Sequence, residues 1–340
     1  MRRWVKVAVA ALAVLGIGGW IAEPYVQDWM LLRSACAGAL PSGAVRELAA
    51  HGSHFTEAES ATHERLGSFG CSVSFEDEDG DSELLLKAQA YTRRDDQDRE
   101  FMSLFEDEGF TPYAALPDGL PGFVDRFGSL QFLVPCPGLG RDDDGRQRRM
   151  LVHTVFGREA AAGQHAAYET AVALVAAASD RLGCGAERLD APEGDAAPPD
   201  PEDDLRTVPF TRAGDSACVR ALKGVLPRPS EWRVADGLNA AAPTGRCELV
   251  TGEDDENGDG ALGMTFAAWY GDWSGRLVTY EGVPRSMTAT ARCDGETASF
   301  ALSASEDIPG VGKVRQRELL EAFAADQVRE RDCTGLRVTG

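Results

Sequence analysis

The sequence lacks the short signatures of the common enzyme classes. It has no GxSxG elbow, no HExxH, no P-loop and no glycine-rich dinucleotide turn, which leaves serine-hydrolase, zincin and nucleotide-dependent chemistry without their usual residues. Positive charge is scarce. Against 55 Asp and Glu there are 34 Lys and Arg, a formal charge of -21, which repels phosphate backbones and anionic headgroups and makes nucleic acid an unsuitable partner. No CxxC occurs, although thiolate zinc sites usually show one. All 5 histidines precede residue 166. Apolar residues run on at length in one place only, residues 7–22.

What is present is a duplication. Residues 71–91, CSVSFEDEDGDSELLLKAQAY, recur in pattern at 247–270, CELVTGEDDENGDGALGMTFAAWY. Each copy has a cysteine, a short alternating run, an acidic tip and an apolar run ending in an aromatic residue. Tips of Asp, Glu, Asn and Gly between two such runs predict β-hairpins, because these residues accept the backbone angles of tight turns. A chain of 340 residues with 43% hydrophobic content is long enough for two domains with separate cores.

The amino-terminus predicts an anchor. Arg2, Arg3 and Lys6 precede the apolar run, while Glu23 and Asp28 follow it. With Val5 counted, the run is at the lower limit for crossing a bilayer, and the positive-inside rule places the bulk of the chain outside the cytoplasm. The alternative is secretion after signal cleavage, but Trp20 stands where a small residue is needed for a cut after Ala22. Trp4, Trp20, Tyr25 and Trp29 suit the two interfaces.

Residues 1–33 therefore form a cytoplasmic stub, transmembrane anchor and juxtamembrane segment. Residues 34–190 form repeat 1, residues 191–209 (APEGDAAPPDPEDDLRTVP) a Pro-rich acidic linker, and residues 210–340 repeat 2. In repeat 1 a helix is expected over 44–50. A second is expected from Thr56 to Leu66, because Thr56 and Glu59 have capping-box spacing. Strands follow at 71–75, 84–91, 130–134 and 150–156, with a short helix at 98–105, a long helix at 164–182 and a short strand near Leu189. Repeat 2 repeats this order, with strands at 287–292, 297–303 and 336–338 and a helix at 314–331. The fold class is α+β, with each antiparallel sheet covered by helices on one face.

Cys36, Cys71, Cys136 and Cys184 match Cys218, Cys247, Cys293 and Cys333 in order and context. Four cysteines in each copy indicate disulfides and an oxidising compartment. Four cysteines allow three pairings within each copy, among which the sequence alone does not choose; the expectation is sequential pairing, Cys36 to Cys71 and Cys136 to Cys184, and likewise in repeat 2, so that each bridge ties a helix end to a strand.

Two clusters have the residue types for metal binding. Asp255, Asn257 and Asp259 match the start of a calcium loop, as do Asp77, Asp79 and Asp81. The closing bidentate glutamate is missing, since the twelfth position is Phe266 in one copy and Ala88 in the other. Solvated turns with no cofactor are thus the expectation, and calcium stabilisation the alternative. His51, His54 and His63 have a zinc spacing if both of their segments are helical.

The stretches LPDGLPGFVDRFGSLQFLVPCPG (116–138), SDRLGCG (179–185) and CAGALPSGAVRELA (36–49) resemble a family of uncharacterised membrane-anchored cell-envelope proteins of high-GC actinobacteria. The resemblance implies an anchor, an envelope location and tandem disulfide-bonded domains, and no functional residue. The reading that follows is a single-pass extracytoplasmic protein that binds a protein partner or wall component. Its rival is an envelope hydrolase using a carboxylate pair that no motif reveals.

Overall fold

The computed structural model describes residues 25–340, apart from 50–51, 77–79, 105–112, 126, 144, 158–164, 195–205, 241, 252–261, 272–284, 294, 307 and 340. The apolar run at 7–22 lies outside the described residues. Among the described residues no helix is long and apolar enough to cross a membrane.

The two halves build the same sheet. In the first, β1 (His54–His63), β2 (Ser68–Glu76), β3 (Ser82–Tyr91), β4 (Tyr113–Ala115), β5 (Gly122–Asp125), β6 (Leu130–Pro135) and β7 (Arg149–Phe156) pair in the order β1-β2-β3-β7-β6-β5-β4. In the second, β8 (Val208–Pro209), β9 (Trp232–Gly237), β10 (Thr244–Thr251), β11 (Leu262–Tyr270), β12 (Thr288–Cys293), β13 (Glu296–Ala304) and β14 (Thr334–Thr339) read β8-β9-β10-β11-β13-β12-β14. The shared core is β1-β2-β3-β7-β6 against β9-β10-β11-β13-β12. Every pairing is antiparallel.

Alternation decides which side chains meet the helices. β2, SFGCSVSFE, buries Phe69, Cys71, Val73 and Phe75 and leaves Ser68, Gly70, Ser72 and Ser74 on its other face. The apolar set packs beneath α4 (His165–Leu182), whose Tyr168, Ala171 and Val175 belong to the same core. In the second sheet Phe266 and Phe300 pack on Leu320 and Phe323 of α6 (Lys313–Glu330). The short helices α2 (Ser42–Leu48) and α5 (Ala217–Leu222) sit against α4 and α6 respectively. Arg331 stacks over the ring of Tyr270 and donates to the carbonyls of Asn239 and Ala242.

Four disulfides join Cys36 to Cys71, Cys136 to Cys184, Cys218 to Cys247 and Cys293 to Cys333. This is the sequential pairing, and among the described residues no cysteine is free. The resembling motifs turn out to be structural. Asp125 accepts from the amides of Phe127 and Ser129 and from Gln131, which shapes the DRFGSLQ turn. Gly138 lies so close to the Gly183 carbonyl that an added Cβ would meet it at 2.4 Å, so PCPG and SDRLGCG touch each other around the Cys136–Cys184 bridge.

Three expectations are corrected. Residues 54–66 are not a helix but β1 followed by a 3-10 turn over Glu64–Leu66. The capping-box spacing at Thr56 and Glu59 is overridden by nine residue pairs with β2, since local propensity is weaker than an available sheet partner. No strand forms at Leu189: the edge of β6 that β14 occupies on β12 is here taken by β5. Among the described residues each sheet has seven strands rather than the five expected: β4, β5 and β8 are short, β1 lacks alternation, and β9, six residues long, is not among the strands expected.

The sheets also pack on one another. Phe123, Leu133 and Leu151 of the first meet Ala267, Trp269 and Ala301 of the second in a separate buried cluster, with Trp269 and Phe123 at 0% exposure. Arg149 forms an ion pair with buried Glu296 at 3.1 Å across this joint. Helices thus cover the two outer faces, and part of each inner face is covered by the other sheet, with α3 (Arg94–Leu104) beside the joint, where its Glu100 meets His153 of β7.

Two consequences are measurable. Trp269→Ala should lower unfolding stability by about 3–5 kcal/mol, as large cavities at buried aromatics do, in a urea titration. Burial pushes the Tyr270 hydroxyl up to about 12 against the lowering effect of Arg331, from an unfolded value of about 10. A raised folded value gives stability that is intact below pH 10 and lost as pH rises through 12, about 2–3 kcal/mol by linkage. Tyr270→Phe should flatten that part of the alkaline fall in the denaturation midpoint.

Candidate binding face

The second sheet covers the inner face of the first over β5, β6 and β7. Among the described residues the inner face of β1, β2 and the part of β3 bearing Lys87 and Gln89 is left open, while α3 packs on β3 at its Tyr91 end, where Gln97 donates to the Tyr91 carbonyl. A groove of about 520 Å³ crosses these strands, lined by Glu59, Ala61, Gly70, Ser72, Lys87 and Gln89. Strand pairing sets its floor: Ala61, Gly70 and Gln89 share one cross-strand row, and Glu59, Ser72 and Lys87 the next. Gly70 and Ser72 make the floor low. A Cβ built on Gly70 meets nothing within 4 Å, and its backbone is ordinary extended strand.

The duplicated copy shows that this opening is not a property of the fold. Cys71 lies opposite Ser60 and Ala88, as Cys247 lies opposite Asp236 and Phe266. Gly70 and Ser72 therefore correspond to Arg246 and Glu248. Those two pair with each other at 2.6 Å, and their side chains occupy the surface that is bare in the first copy. The edge differs as well. β8 pairs its Val208 and Pro209 with Val234 and Arg233 of β9, positions that correspond to Ala58 and Glu57 of β1. Among the described residues the outer edge of β1 ends the sheet, and residues from Thr56 to His63 are exposed apart from half-buried Ala58.

Of the metal candidates, only His54, His63 and Asp81 fall among the described residues. His54 and His63 stand at opposite ends of one strand, about 30 Å apart at strand rise, so the segment that carries both is not the helix that the zinc spacing requires. His54 instead contacts Asp28, Nδ1 to Oδ2 at 3.0 Å. His51 lies outside the described residues, as do Asp77, Asp79, Asp255, Asn257 and Asp259, while Asp81 is exposed. Among the described residues no group of three His, Cys, Asp or Glu side chains could hold a metal ion.

The buried carboxylates have structural partners. Asp28 accepts from the Phe55 amide at 2.9 Å, Asp125 from the turn after β5, Glu296 pairs with Arg149, and Asp326 with Arg220 and Arg329. His153 lies against Glu100, Nδ1 to Oε1 at 2.6 Å, and His165 against the Pro192 carbonyl at 2.8 Å. A second cavity, of about 400 Å³, follows the joint between the sheets and is lined by Arg94, Asp95, Asp143, Arg148, Arg149 and Gly271. Arg94 donates across it to the Gly271 carbonyl, so it belongs to the contact between repeats.

No family model, curated protein or solved structure matches the chain. The groove was not among the candidates read from the sequence. Its signal was the serine and glycine at every second position of 68–74 where the second copy carries Arg246 and Glu248.

The comparison gives a direct test of the geometry. The double variant G70R/S72E installs the ion pair of the second copy over the groove. It should fold with a stability within about 1 kcal/mol of the parent, as substitutions on an unobstructed surface do, measured by urea unfolding.

Proposed function

We propose that the chain is a single-pass, extracytoplasmic cell-envelope protein that binds an extended segment of a protein partner on the open half of its first sheet. The observation that carries this reading is the asymmetry of the duplication. Edge and inner face are both closed in the second copy, by β8 and by Arg246 with Glu248, and among the described residues both are open in the first. β8 supplies the mode: an extended segment laid antiparallel on the equivalent edge. A partner added to β1 would gain main-chain hydrogen bonds from the unpaired edge and side-chain space from the groove, which is the logic of strand addition.

The envelope location is supported by the four disulfides, which form and persist in oxidising compartments, and by the apolar run at 7–22 with its basic flank. The likeness to membrane-anchored actinobacterial envelope proteins agrees with both.

The test is selection of displayed, unstructured 12-residue peptides on the full-length protein in detergent, with G70R/S72E as comparison. The expected result is enriched peptides that bind the parent, bind the variant at least tenfold more weakly, and protect the amides of 57–63 from hydrogen exchange. Peptides indifferent to the variant, or soluble wall glycan binding in place of any peptide, would overturn the reading.

A further inference from the structure

The first described helix, α1 (residues 25–34), has two unlike sides. Its inner side is fixed to repeat 1. Asp28 is 5% exposed and accepts from the Phe55 amide at 2.9 Å, with the His54 ring at 3.0 Å; Leu32 is 2% exposed and belongs to the main core. Three residues further on, Ala35 and Cys36 are buried, and Cys36 is bonded to Cys71 of β2.

The outer side is apolar and bare. Tyr25, Val26, Trp29 and Met30 are 51–59% exposed, four of the nine large hydrophobic side chains left exposed among the described residues. At 100° per residue these four and Arg33 fall within an arc of about 140°. The stripe contains no carboxylate, because Asp28, the one acid in 25–34, is on the other side. The Arg33 guanidinium lies over the Trp29 ring, 4.7 Å from its centroid, and the Tyr25 ring packs edge-on to His54 at 5.5 Å. Tyr and Trp beside an arginine with a long apolar stem suit the layer where acyl chains meet headgroups.

The chain itself says what covers this stripe. Its long apolar run ends at residue 22, three residues before α1. We propose that the outer side of α1 is seated in the headgroup layer of the bilayer that residues 7–22 enter. The Asp28 clamp then makes repeat 1 continuous with that seat, with no free linker between membrane and domain. The hairpin face of β1 to β3 is thereby presented at a set distance from the surface. This inference rests on the anchor reading given above and adds a specific lipid-contacting surface to it.

The experiment uses the full-length chain reconstituted in phosphatidylcholine nanodiscs, with the photoreactive residue p-benzoylphenylalanine at one position per variant: Leu12, Val26, Met30 or Glu47. Mass spectrometry after irradiation should show phospholipid adducts at 12, 26 and 30 and none at 47, which is exposed on α2. Adducts at 12 without adducts at 26 and 30 would overturn the seating and leave the anchor standing. Cross-linked dimers through 26 or 30 would overturn it in favour of a helix–helix contact between two copies. Absence of lipid adducts at 12 would remove the anchor reading, and the seating with it.

Discussion

Everything in this molecule depends on how the second face of each sheet is covered. An antiparallel sheet with alternating side chains has two faces, and the helices shield one. In both repeats the covered face carries the apolar set: Phe69, Cys71, Val73 and Phe75 under α4, Phe266 and Phe300 under α6. The remaining faces meet through Trp269, Phe123 and Leu133. The meeting uses β4 to β7 of one sheet and β9, β11 and β13 of the other, so it is offset, and the offset exposes the half of the first sheet that bears β1.

The duplication is then informative because the copies diverge where covering stops. The disulfides superpose in topology: Cys36–Cys71 and Cys218–Cys247 tie the segment ahead of the first core strand to the second, and Cys136–Cys184 and Cys293–Cys333 tie the strand before the last core strand to the end of the long helix. These positions bear the load of folding and have not drifted. Edge and inner surface have drifted. Arg246 and Glu248 neutralise each other over β10, and Pro209 with Val208 closes the edge of β9. Proline at an edge strand suits such a covering role, since it has no amide to offer to a further strand.

A good part of this was legible beforehand. The hairpins at β2–β3 and β10–β11, the long helices α4 and α6 and the matched order of the eight cysteines follow from alternation, helical periodicity and spacing, whereas the choice among three pairings in each copy was left to the fold. β1 was not legible. Its residues Thr56, Glu57, Glu59 and Thr62 are exposed on both sides, so they show no alternation, and a local helix-start pattern was the stronger signal. β14 was expected and formed, whereas its counterpart at Leu189 did not, because β5 had already taken the edge. Which strand wins an edge is settled by long-range competition that no local window contains.

The candidate face illustrates the same division. Gly70 and Ser72 were plain in the sequence as small residues in alternation with Phe69, Cys71 and Val73. That alternation told which face they occupy but not whether anything lies above it. The sequence by itself determined the α+β class, the duplication and the matched set of four cysteines in each copy, because each rests on spacing or composition along the chain. Only the tertiary structure decided that the sheets pack inner face to inner face, that Arg246 and Glu248 close one copy and that β1 stands open in the other. Those outcomes depend on where residues distant in the chain come to lie, and the offset at Trp269 fixes that.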